Sequence, residues 1–220
     1  MKRIIALSIT LLLSSYAVSA NALTASVSGG PAAGATLVDF GVSPFNDSAA
    51  TSGTLPAGYT GGALFNTSTT GISGLAARPV SSEGNFWSVG TLSDGSIGTG
   101  SVVFDAPITY FGFLWGSPDP DPWNSVSFYN GITLLGSYNS ASLTPLMGFP
   151  VSNDWGNTVY FNVFAGQGEV ITSVVFTASQ NAFETDNHAF ITAVPEPETY
   201  GMMLAGLGLI GFMARRRMNG

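Results

Sequence analysis

With 220 residues, the chain has room for one domain of ordinary size between terminal processing segments. Its 28 glycines, 12 prolines and 12% aromatic residues, against 9% charged residues, favour short strands joined by tight turns over long helices. The net charge of −7 conceals an asymmetry: five of the six basic residues (Lys2, Arg3, Arg215, Arg216, Arg217) lie at the ends, so residues 23–194 hold one base, Arg78, against eleven of the thirteen acids, a local balance of −10. That balance excludes phosphate-backbone binding, which runs on Lys and Arg, and the absence of cysteine excludes a disulfide framework and a thiol nucleophile.

Residues 1–22 join a basic start (Lys2, Arg3) to an apolar run over residues 4–13 and a small-residue close, Ala20-Asn21-Ala22. This is the plan of a secretory signal peptide. Ala20 and Ala22 suit the shallow pockets of signal peptidase, which places cleavage after Ala22, with Ala20 as the alternative. The run is too short for a permanent span, which needs roughly 20 apolar residues.

From residue 23 to 193 the apolar residues fall in short runs separated by Gly, Pro, Asn, Asp and Ser, a strand-and-turn pattern. Predicted strands cover 36–40, 62–65, 86–92, 101–104, 108–115, 125–129, 133–138, 159–164, 170–177 and 188–193. In residues 124–128, Val126 and Phe128 share one face and the serines the other, as where one sheet face meets water. Residues 108–115 differ: Tyr110 and Leu114 point one way and Phe111, Phe113 and Trp115 the other, which predicts a central strand. Asn130-Gly131 fits a tight hairpin because both residues tolerate positive φ. Together these runs predict an all-β domain, an antiparallel β-sandwich of jelly-roll type.

Three groups within this body carry candidate chemistry. His188 is the only histidine, and a strand-borne histidine is more often packed than catalytic; without a lysine or cysteine in the body, few nucleophile–base pairs can be assembled. Asp119, Asp121, Asp154, Glu184 and Asp186 offer hard oxygen ligands from which a structural Ca²⁺ site could be built, against the alternative of solvated acids that aid solubility. Trp123 and Trp155 lie in loop-like surroundings rich in Pro, Asp and Asn, unlike Trp87 and Trp115. A loop indole can stack on a sugar ring or cap the end of the core.

The end of the chain, residues 194–220, opens with Val194-Pro195-Glu196-Pro197-Glu198, continues as an apolar helix over 200–214 with four glycines, and closes on Arg215, Arg216 and Arg217. The prolines keep the approach extended, and the arginines should stay cytoplasmic by the positive-inside rule. At 1.5 Å per residue the apolar stretch rises about 22 Å against a hydrocarbon core of roughly 30 Å, so it predicts a short, weak transmembrane anchor.

Pro195-Glu196-Pro197, the glycine-rich helix and the terminal arginines resemble the PEP-CTERM sorting domain of exported proteins of Gram-negative bacteria. The resemblance implies recognition by a membrane-embedded exosortase, removal of the helix, and release or attachment at the cell surface, often alongside exopolysaccharide. Residues 111–117, 124–131 and 181–187 are similar in pattern to a domain of PEP-CTERM surface proteins and to β-sandwich carbohydrate-binding modules. The expectation is an exported, non-catalytic surface or matrix protein that binds glycan. The alternatives are a structural matrix protein without a defined ligand and a secreted glycan hydrolase working through paired carboxylates.

Overall fold

A computed structural model describes residues 23–51, 53–90, 98–118, 123–148, 158–194 and 197–218. The signal-peptide residues, Ala20 and Ala22 included, lie outside them.

The body is an antiparallel β-sandwich, and one long strand, β6 (Gly98–Gly116), belongs to both of its layers. The first half of β6 pairs on one side with β3 (Tyr59–Gly61) and on the other with β10 (Ile171–Ala178), which continues through β7 (Asn124–Asn130) to β8 (Thr133–Asn139). These strands form the front layer. The second half of β6 runs between β11 (Phe183–Thr192) and β9 (Thr158–Phe164). β1 (Thr24–Ser28) pairs with β9, while β2 (Thr36–Leu37) and β5 (Phe86–Val89) pair with β11, and β4 (Ala63–Phe65) completes this back layer on β5.

The sequence predicts two strands, 101–104 and 108–115, where the structure has one. Asp105, Ala106 and Pro107 between them are exposed and form the corner at which β6 changes layers. Pro107 has no N–H to give a ladder, so regular pairing lapses there and the strand can bend.

Alternation explains the interior. Phe111, Phe113 and Trp115 from β6 meet Phe128, Phe161, Phe176 and Phe183 from the strands around them, all with negligible exposure. Phe176 of the front layer lies 5.1 Å from Phe113, 5.2 Å from Trp87 and 5.3 Å from Phe183, ring centre to ring centre. Edge-to-face geometry at these distances adds to the area each ring buries.

Three elements escaped the sequence reading: β1, β3 and a helix, α1 (Ser140–Met147). α1 is capped by Asn139, whose side chain accepts from the Ser142 N–H while the Ser142 hydroxyl accepts from the Asn139 N–H. It drops Leu143 into one end of the core. Its run of Ser, Ala, Thr and Pro145 carries too little apolar periodicity to announce it.

The β7–β8 hairpin also differs in detail. Asn130 closes the ladder opposite Thr133, so the loop residues are Gly131 and Ile132, and Gly131 alone takes positive φ, at 57°. Glycine in the first loop position is the requirement of a type II′ turn.

The C-terminal helix, α2 (Pro197–Met218), is longer than the predicted 200–214. It starts on Pro197, where a missing N–H costs nothing, and ends at Met218. The expected transmembrane anchor is not supported: among the described residues no helix is long and apolar enough to cross a membrane. Glu198, the glycines and the arginines dilute the apolar stretch below that threshold.

Candidate functional site

β11 carries three of the four candidate side chains among the described residues, Glu184, Asp186 and His188, and a bulge sorts them between its two faces. Asp186 pairs with Leu114 and Ala189 with Gly112, so Asn187 and His188 together stand opposite Phe113. Asn187 takes φ of 48°, the left-handed region that Asn tolerates, and the extra residue turns His188 inward while leaving Glu184 and Asp186 on the outer side.

His188 is fully buried. Its Nδ1 lies 2.8 Å from the Tyr59 hydroxyl and its Nε2 lies 2.9 Å from Thr185 Oγ1, so both ring nitrogens are engaged. Phe176 stacks on the imidazole at 5.6 Å and 16°, and Phe40 meets it edge-on at 5.1 Å. Burial among rings pushes its pKa down to about 3, so the imidazole is neutral. It is a packed core histidine with Asp186 on the opposite face of its strand.

Glu184 and Asp186 belong to a second, polar layer, where residues 66–84 lie across the outer face of the back sheet. Glu184 Oε1 accepts the Ala77 N–H at 2.9 Å, and Asp186 Oδ2 accepts the Ser82 hydroxyl at 2.5 Å. Arg78 ties this strap together: Nε donates to Thr67 O at 2.7 Å, Nη1 to Ser82 O at 3.3 Å and Nη2 to Asn66 Oδ1, with the guanidinium over the Phe86 ring. Burial raises the Asp186 pKa to about 6, opposed by the Ser82 and Asn187 hydrogen bonds and by the Arg78 charge.

Beside it, Tyr110 donates to Asn162 Oδ1 at 2.7 Å and accepts from the Ala32 N–H at 3.0 Å, and Asn162 Nδ2 donates to Ser28 Oγ at 2.8 Å. Tyr160 donates to Asn187 O at 2.8 Å, which holds the bulge. Burial pushes both tyrosine hydroxyls above their ordinary pKa. The sequence reading missed this network, because no local spacing marks side chains joined across four strands.

Of the five proposed calcium ligands, Asp119, Asp121 and Asp154 lie outside the described residues. Among the described residues no group of three or more His, Cys, Asp or Glu side chains could hold a metal ion. Glu184 and Asp186 are committed to the hydrogen bonds above. Trp155 is also outside the described residues, whereas Trp123 is half-buried in the turn that leads into β7, its carbonyl accepting from the Ser179 N–H at 2.9 Å and the Ser179 hydroxyl at 3.1 Å. Trp87 and Trp115 are fully buried, as a core role requires.

At the other end, β11 finishes at Thr192 and α2 begins at Pro197; Pro195 and Glu196 fall outside the described residues. On α2 the side chains of Met202, Leu204, Leu207 and Ile210 are exposed. No curated protein and no solved structure matches the chain. Residues 193–217 do match a family model, that of the PEP-CTERM protein-sorting motif. The chain therefore carries a PEP-CTERM sorting signal directly after its last strand, the mark of an exported protein processed at the membrane by an exosortase-type protease and displayed at the surface or secreted.

Proposed function

We propose that the chain is a non-catalytic surface or extracellular-matrix protein whose sandwich binds glycan, delivered by its sorting tail. The observation that carries delivery is the junction: the last strand ends at Thr192 and the sorting motif starts at residue 193, so cleavage beside Pro195-Glu196-Pro197 would remove α2 without cutting a ladder. The non-catalytic reading is supported by the chemistry of His188, neutral and enclosed, and by Glu184 and Asp186, which are held under the strap. Glycan binding is supported by the half-buried Trp123 and by a domain almost without bases, which repels polyanions and not neutral sugars.

Intact mass of the protein recovered from its producing cells tests the delivery. The mature chain should start at Leu23 and lack α2, and Pro195→Ala with Glu196→Ala should retain the helix. A recovered chain that begins at Met1 and still carries Arg215 to Arg217 would overturn it. A bound Ca²⁺ would draw on Asp119, Asp121 and Asp154 beyond the described residues and should raise the melting temperature by binding the folded state alone; equal melting in millimolar Ca²⁺ and in chelator would remove the ion from the reading.

A further inference from the structure

The geometry points to the outer face of the front layer as a docking platform for a neutral polysaccharide chain. This rests on the glycan-binding reading above and gives it a surface and a ligand class. β3, β7, β8, β10 and residues 98–104 of β6 contain no Asp, Glu, Lys or Arg, the nearest acid being Asp105 at the corner of β6, although the domain they belong to carries eleven acids.

In place of charge the face presents hydroxyls in register. One row crosses all five strands as Thr60, Ser101, Val175, Ser127 and Ser137. Its ends are locked by hydrogen bonds of 2.8 Å between Thr60 and Ser101 and 2.9 Å between Ser127 and Ser137. The next row is Thr99, Thr177, Ser125 and Asn139. Along β7 the outward positions are Ser125, Ser127 and Tyr129, and the same alternation reaches Trp123, whose carbonyl continues the ladder to Ser179. Half-buried Trp123, just before β7, and half-buried Tyr129 within it thus bracket two serines of that strand, about 20 Å apart at roughly 3.3 Å per residue.

This arrangement suits sugar. Aromatic rings take the apolar C–H faces of pyranoses. Short hydroxyls exchange hydrogen bonds with sugar hydroxyls, and no charge has to be stripped of water. An anionic chain would meet a domain whose balance is −10. A second copy fits less well: the face measures about 20 by 20 Å from strand spacings, so two copies would bury roughly 800 Å², short of the ~1,200 Å² that stable interfaces reach.

The test is retention of the processed, secreted protein on microcrystalline cellulose and on soluble galactomannan, with alginate as the anionic comparison. Saturable retention on a neutral probe and none on alginate is expected. Ser101→Glu with Ser127→Glu should lower it at least tenfold, and Trp123→Ala by a similar factor. Should the charged pair fail to fold, Ser101→Ala with Ser127→Ala keeps the face neutral and should still lower retention about threefold. Retention that survives all these changes would overturn the platform and leave glycan binding standing elsewhere on the domain. No retention on either neutral probe would overturn both. A concentration-dependent dimer abolished by the charged pair would replace the polysaccharide with a second copy.

Discussion

The two outward faces of this sandwich solve the same problem in opposite ways. The back face carries Tyr110, Tyr160, Asn162, Glu184 and Asp186, and residues 66–84 cover its acids, supplying the Ala77 N–H to Glu184 and the Ser82 hydroxyl to Asp186 while Arg78 holds the covering segment together. The front face carries mainly Ser and Thr, and among the described residues these outward side chains are half-exposed or exposed. A polar side chain on a strand therefore does not by itself mark a solvent face; a covered polar face is stable only when nearly every group finds a partner. The covered face should be intolerant of change and the open one permissive.

The interior shared by both faces sets the scale. Trp115 is fully buried, with Phe183 at 4.6 Å, Phe113 at 5.7 Å and Phe161 at 5.9 Å, so Trp115→Ala should cost roughly 3 to 5 kcal/mol in denaturant melts. A smaller loss than that of the back-face variants below would break the assignment of this layer as the core.

Next in size is the pH dependence that only the covered face should show. Asp186 is raised to about 6 in the folded chain, from an ordinary value near 3.8, so between those values the folded state binds more protons than the unfolded state. Its contribution is fully present below about pH 4 and lost as pH rises through 6, a window worth roughly 3 kcal/mol at about 1.4 kcal/mol per pKa unit. Asp186→Asn keeps an acceptor for Ser82 and should flatten this slope, gaining on the native protein at pH 7. His188, depressed to about 3, works the other way, losing stability as pH falls from its unfolded value near 6.5, and it does so equally in both proteins. Identical pH profiles for the two would show that Asp186 is not buried under the strap.

Tyr110→Phe follows, because one hydroxyl serves both the Asn162 carbonyl oxygen and the Ala32 N–H. Removing it strands one buried and one part-buried group and should cost about 1 to 2 kcal/mol in chemical denaturation. A neutral result would mean that water takes the place of the hydroxyl, and that the back face is open there.

These contrasts mark how far the sequence could be read. Alternation at residues 124–128 and two-sided hydrophobicity at residues 108–115 correctly gave an antiparallel sandwich with a central strand, because each signal is local. The PEP-CTERM motif was legible for the same reason, its parts being contiguous. What stayed hidden depends on distant partners: the passage of β6 between layers, the strap that buries Glu184 and Asp186, and the bulge at Asn187 that turns His188 inward. Glu184 and Asp186 read as metal ligands by residue type, whereas their hydrogen bonds to residues more than a hundred positions away hold the strap down.

The smallest effect is the sharpest check on the comparison. Ser127 sits in the middle of the front face, half-exposed, its hydroxyl donating 2.9 Å to Ser137, which is exposed. Water can replace either partner, so the hydrogen bond is an exchange with little net gain. Ser127→Ala should therefore change stability by no more than about 0.5 kcal/mol in a denaturant melt. Tyr110→Phe deletes one hydroxyl as well, from a side chain facing outward on the other layer, and should cost several times as much. Equal costs for the two substitutions would mean that the front face is covered in solution, and the distinction between a closed and an open side of this sandwich would fall.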